Sequence, residues 1–192
     1  FTTNKVPQNR YHFVRKENGT SYIVSSDEAG TSFNLTSNSF NSWRPRKNNN
    51  AGLIAFLRTE GGNSHIFTAK PDGTEPFKVT GIPVAGFNNT ELDFAWSTKK
   101  KKFIYPNFNK LYKINKDGSG QELLYTTTDG SLISECDWSY DGSKIALKTN
   151  DLHGYNSKII VIDLLGNILK TVLSDENGAS GGLNFSVDGN NL

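Results

Sequence analysis

A glycine-closed turn ends a short run of alternating apolar residues four times along this chain, at Gly30, Gly73, Gly118 and Gly166. The intervals are 43, 45 and 48 residues, so one structural unit is repeated along a chain of 192. A second column keeps step with the first: Trp43, Trp96, Trp138 and Phe185 each sit in a short apolar segment, at intervals of 53, 42 and 47. A repeat of this length is one supersecondary unit that cannot bury its own apolar face, and stacked neighbours supply the core.

The fourth unit shows the internal pattern best. Residues 135–139 and 144–148 alternate about an Asp141-Gly142 turn, residues 158–163 form an apolar third run, and residues 167–173 follow the Gly166 turn. Four short strands per unit predict an all-β chain, a β-propeller of four-stranded antiparallel blades. The predicted units are 11–36 with three strands, 40–80, 92–126, 134–173, and the start of a further or closing blade at 182–192. Segment 182–186 is placed to complete the opening sheet beside residues 11–16, which would remove two exposed sheet edges. Against such closure, the chain stops where a second strand should develop, which favours a partial propeller. A start at Phe1 and the absence of Met suggest a piece of a longer product.

The segment Trp138-Ser139-Tyr140-Asp141-Gly142-Ser143-Lys144-Ile145-Ala146 and the segment Phe185-Ser186-Val187-Asp188-Gly189 resemble the W-S-P-D-G-x-x-I-A core of the PD40, or TolB-like, β-propeller repeat. Ile114-Asn115-Lys116-Asp117-Gly118 and Ala69-Lys70-Pro71-Asp72-Gly73 resemble its second signature, a strand followed by a D-G turn. Tyr140 and Val187 stand where the repeat usually has Pro, and the second and third units lack the first D-G turn. The resemblance covers roughly residues 11–192. It implies a cell-envelope setting, periplasmic or surface, with a protein partner. It also leaves open an enzyme reading, since related propellers gate the hydrolase domain of prolyl-oligopeptidase-like peptidases or, as in oligogalacturonate lyases, hold a metal and catalytic residues themselves.

The motif residues have a structural meaning of their own. Trp fills space between blades, the following Ser caps a turn, and Gly accepts the positive φ of a hairpin turn. No G-x-S-x-G elbow, H-E-x-x-H helix, phosphate loop or dinucleotide fingerprint occurs, and a single cysteine excludes Cys-rich zinc. His12, His65 and His153 fall in different units. Cys136 shares a face with Trp138 and reads as buried filler, with no basic neighbour in sequence to activate it. A net charge of +2 and one basic run, Lys99 to Lys102 at an expected turn, exclude a nucleic-acid stripe. No segment approaches the length of a membrane helix.

Two kinds of candidate site remain. Alternation in the innermost strands puts Phe94 with Trp96, Cys136 with Trp138 and Leu183 with Phe185 on a packed face, and Asp93, Glu135 and Asp137 on the opposite one. Those three acids can form an acidic channel mouth for a cation or a basic peptide segment, or can hydrogen-bond between blades. The long connections 47–52, 81–91 and 150–156 are candidate recognition loops on a rigid scaffold. The expectation is therefore a noncatalytic binding platform with a protein partner, a small ligand or cation possible in the channel, and no cofactor, catalytic set, nucleic acid or membrane span.

Overall fold

The computed structural model describes residues 9–48, 52–88, 92–97, 99–175, 182–186, 188 and 191–192. Among them are fifteen strands and no helix, and every sheet is antiparallel and built from strands consecutive in sequence. The chain divides into two compact units, Phe1–Val79 and Thr80–Leu192.

In the first unit, β1 (Tyr11–Glu17), β2 (Thr20–Ser26) and β3 (Ser32–Asn34) make a three-stranded sheet. A four-stranded sheet follows, of β4 (Ser42–Asn48), β5 (Leu53–Glu60), β6 (Asn63–Ala69) and β7 (Phe77–Lys78). Asn18-Gly19 and Gly61-Gly62 close two-residue hairpins between Glu17 and Thr20 and between Glu60 and Asn63, the loop length whose twist suits adjoining strands. The middle strands β2, β5 and β6 are largely buried, with apolar runs at Tyr22–Val24, Ile54–Leu57 and Ile66–Phe67 and buried polar residues at Ser25, Ser64, His65 and Thr68. Ile23, Leu35, Ile54, Phe56, Phe67 and Ala69 form the core, with Phe56 and Phe67 stacked at 6.1 Å.

The second unit repeats the plan twice. One sheet contains β8 (Ala95–Ser97), β9 (Lys102–Asn107), β10 (Lys110–Asn115) and β11 (Glu122–Thr126). The other contains β12 (Leu132–Trp138), β13 (Ile145–Asn150), β14 (Ser157–Ile162) and β15 (Ile168–Asp175). β12 packs on β8 and β9, and Cys136, Trp138, Ile145 and Leu147 meet Ala95, Ile104 and Leu111 in one cluster. Cys136 is buried there, its thiol 3.8 Å from the Ile104 carbonyl.

The repeat glycines do more than turn the chain. At Gly73 the φ is +84°, and a Cβ would stand 2.2 Å from the Leu35 carbonyl oxygen that follows the first sheet. At Gly166 the φ is +88°, and a Cβ would stand 2.3 Å from the Leu124 carbonyl oxygen of β11. In both units the glycine turn of one sheet thus presses on the backbone of the preceding sheet, and only a residue without a side chain fits.

Several expected boundaries move. Lys47 and Asn48 lie inside β4, paired with Ile54 and Leu53 beyond a bulge at Trp43 to Arg46, so the first candidate loop shrinks; residues 49–51 of it lie outside the described residues. Residues 92–94 precede β8 without joining it. Segment 182–186 forms no strand, and the opening sheet has three strands among the described residues. A strand needs a partner ladder, and the amides of Leu183 and Phe185 are instead taken by carboxylates, at 2.7 and 2.8 Å.

Candidate functional site

Glu135 and Asp137 stand two residues apart on β12 and so share a face. Glu135 Oε2 accepts the Leu183 amide at 2.7 Å and Oε1 lies 3.2 Å from Lys148 Nζ on the adjacent β13, in a largely buried ion pair. Asp137 Oδ2 accepts the Phe185 amide at 2.8 Å. Asp93 occupies the position of Glu135 in the preceding repeat, aligned on Trp96 and Trp138, and is 4% exposed just ahead of β8. The two β12 carboxylates hold the backbone of segment 182–186, and a cation would have to compete with those amides and with Lys148. Among the described residues no group of three His, Cys, Asp or Glu side chains is placed to hold a metal ion. His12, His65 and His153 lie on β1, on β6 and in the turn after β13.

The motif serine completes the W-S-x-D-G turn. Ser139 Oγ donates to Asp141 Oδ1 at 2.7 Å and accepts the Lys144 amide at 2.9 Å, while Asp141 also accepts the Ser143 amide. These donors, the Ser139 hydroxyl first and the Ser143 amide next, bring the Asp141 carboxyl down to about 2. The same Asx geometry recurs at Asp72, Asp117 and Asp129, each accepting the amide two residues on. The indole N–H groups of Trp43, Trp96 and Trp138 are buried without an acceptor among the described residues, which nothing in the sequence foretells.

The candidate loops behave differently from one another. Residues 81–88 are tied down: Ala85 N donates to Pro106 O, Phe108 N donates to Ala85 O at 2.8 Å, and Asn107 Nδ2 reaches Pro83 O. Residues 89–91 lie outside the described residues. Asn150 closes β13, and Asp151 then organises the turn by accepting the amides of His153 and Tyr155 and the Asn156 side chain. That rigid turn exposes Leu152 and Tyr155.

Strand direction determines which connections meet. In an antiparallel meander, the turn between second and third strands and the connection from one sheet to the next leave by the same edge. Within the second unit that edge collects Phe87 of the segment before β8, Phe108 of the β9–β10 turn, Asp129 of the β11–β12 turn, and Leu152 with Tyr155 of the β13–β14 turn. Backbone bonds Ile133 N to Phe108 O and Thr127 N to Asn109 O, and a Lys158–Asp129 ion pair of 2.6 Å, join these turns into one surface. Phe87, Phe108, Leu152 and Tyr155 are between 49% and 67% exposed. Four separated turns could not be placed together from spacing alone.

Antiparallel sheets of consecutive strands repeated along the chain, three of them four-stranded, with a glycine turn pressed on the preceding sheet within each unit, define the β-propeller class of blade. More particularly, the fold is that of TolB-like propellers. The chain superposes on TolB from Acinetobacter baumannii with a TM-score of 0.64 at 22% identity, covering 88% of this chain and 42% of that one. For a putative TolB from Agrobacterium tumefaciens the TM-score is 0.65 at 15% identity, covering 88% of this chain and 63% of that one. An oligogalacturonate lyase from Vibrio parahaemolyticus gives 0.56 at 13% identity, covering 88% and 48%. The chain thus spans about half the length of these proteins, as a partial propeller does. No family model and no curated protein matches the sequence.

Proposed function

We propose that this chain is a noncatalytic propeller region that presents a binding face to a protein partner in the cell envelope. The observation that carries the reading is the edge of the second unit, where Phe87, Phe108, Leu152 and Tyr155 are exposed on turns fixed by backbone and Asx hydrogen bonds. Exposed aromatic and aliphatic side chains on rigid turns are the composition of an interface centre, and they cost solubility unless covered. The likeness to TolB propellers supports the envelope setting, and no helix among the described residues is long and apolar enough to cross a membrane.

The test is affinity capture from a periplasmic extract with the chain and with a Leu152→Asp, Tyr155→Asp double variant of unchanged circular dichroism. A discrete partner retained by the first and lost by the second is the expected result. Equal retention by both would remove this edge from the interface. The rival reading, the propeller portion of an enzyme, draws on the likeness to the lyase. It gains if the purified chain cleaves oligogalacturonate with added manganese, the metal with which a structurally similar oligogalacturonate lyase was solved.

A further inference from the structure

The first unit contains a cavity of about 310 Å³ that the propeller's binding edge does not use. Its apolar walls come from Leu35, Phe40, Phe56 and Pro76, and its polar groups include Arg58 and Ser42. Ser42 on β4 and Arg58 on β5 are direct cross-strand partners, so their side chains emerge together on one face of the sheet. The Arg58 guanidinium carbon lies 3.6 Å from the centroid of the Phe40 ring and 4.9 Å from that of Phe67. Aromatic contact of this kind engages the face of a guanidinium and leaves its in-plane N–H fork for a ligand.

One polar atom of each residue is left without a partner among the described residues. Ser42 is fully buried, and both its Oγ and Arg58 Nε are enclosed without a hydrogen-bond partner among the described residues. Arg10, in the same unit, shows the usual outcome for an enclosed arginine. Its Nε donates to Ser25 Oγ, one terminal nitrogen meets Asp27, and the other donates to the Ser25 and Thr31 carbonyls. A buried donor left without an acceptor is costly, so the unpaired Arg58 Nε–H beside an unpaired hydroxyl calls for an acceptor from outside the chain.

We propose that this cavity binds a small organic acid, its carboxylate on the fork of Arg58 and the Ser42 hydroxyl and its hydrocarbon body against Phe40, Phe56 and Leu35. A planar two-oxygen acceptor matches the fork, and the apolar walls match a hydrocarbon rather than a fully hydrated anion. The cavity volume is at the small end of the range of ligand sites, which fits a single-ring or short-chain acid.

The probe is benzoate, titrated into the full chain by calorimetry and by amide NMR shifts, with benzamide and inorganic phosphate as comparisons. Saturable benzoate binding is expected, with shifts centred on Phe40, Ser42 and Arg58 and at least about tenfold preference over benzamide and phosphate. Arg58→Lys, which keeps the charge and loses the fork, should weaken benzoate by about tenfold. Ser42→Ala should weaken it by roughly threefold. Benzoate binding no tighter than benzamide, or phosphate binding as tight as benzoate, overturns the proposal, as does an unchanged affinity in Arg58→Lys. Should that variant fail to fold, the Ser42→Ala titration and the benzoate–benzamide ratio of the unaltered chain decide by themselves. Leu152 and Tyr155 stay intact throughout, so the outcome is separate from that of the partner-capture experiment.

Discussion

At the scale of the residue, the repeat glycines separate two costs that sequence alone merges. Gly30, Gly73 and Gly166 all have a φ near +85°, but a Cβ at Gly30 meets nothing within 4 Å among the described residues. Gly30→Ala should therefore cost only the left-handed backbone penalty, about 1 kcal/mol. Gly73→Ala and Gly166→Ala add a collision with a backbone carbonyl that no rotamer relieves, and should cost about 3 kcal/mol or more. Urea unfolding of the three variants checks the order, and equal losses would show that the neighbouring sheet yields.

His12 gives a second test at this scale. Burial, with Lys47 and Arg10 nearby, holds its imidazole below the ordinary value of 6.5. The unfolded chain then takes up a proton at a higher pH than the folded one. Stability from this group is complete above about pH 6.5 and is lost as pH falls through the folded value. Thermal melts should show a midpoint that declines from about pH 6.5 towards 5, before carboxylates titrate, with a shallower decline in His12→Gln. An identical slope in that variant would assign the dependence elsewhere.

At the scale of the element, β12 both pairs with β13 and holds segment 182–186 through two carboxylates. Asp137→Ala removes the acceptor of the Phe185 amide, and a hydrogen bond to a charged group contributes about 1.5 kcal/mol or more. Amide exchange at Phe185 should rise by about tenfold while the β13–β14 ladder keeps its protection. Unchanged exchange would mean that packing of Leu183 and Phe185 alone fixes the segment. β15, by contrast, is exposed at every residue and carries Ile168, Leu169, Val172 and Leu173, an edge strand with apolar side chains on both faces.

At the scale of the whole molecule, each compact unit has its own apolar cluster, centred on Phe56 in the first and on Leu147 and Cys136 in the second. In a repeat array stability is nearly a sum of local terms. Phe56→Ala should cost about 3–5 kcal/mol. Hydrogen exchange should show the loss mainly within Phe1–Val79, and Leu147→Ala should show the complementary pattern. Even loss through the chain after either change would mean that both cores unfold as one.

The blade plan is legible in the order of residues. The alternation in residues 135–148 and the Gly30, Gly73, Gly118, Gly166 column are local signals, because strand period and turn chemistry act over a few residues. That order also supplied the acidic pair on one face of β12. What those acids touch, the fastening of residues 81–88 to β9 and its following turn, and the meeting of four distant turns at one edge all depend on long-range packing. Ser42 and Arg58 show the same limit. They are 16 positions apart in sequence and become neighbours through the register of β4 on β5 across a bulge, a long-range pairing that no local pattern encodes.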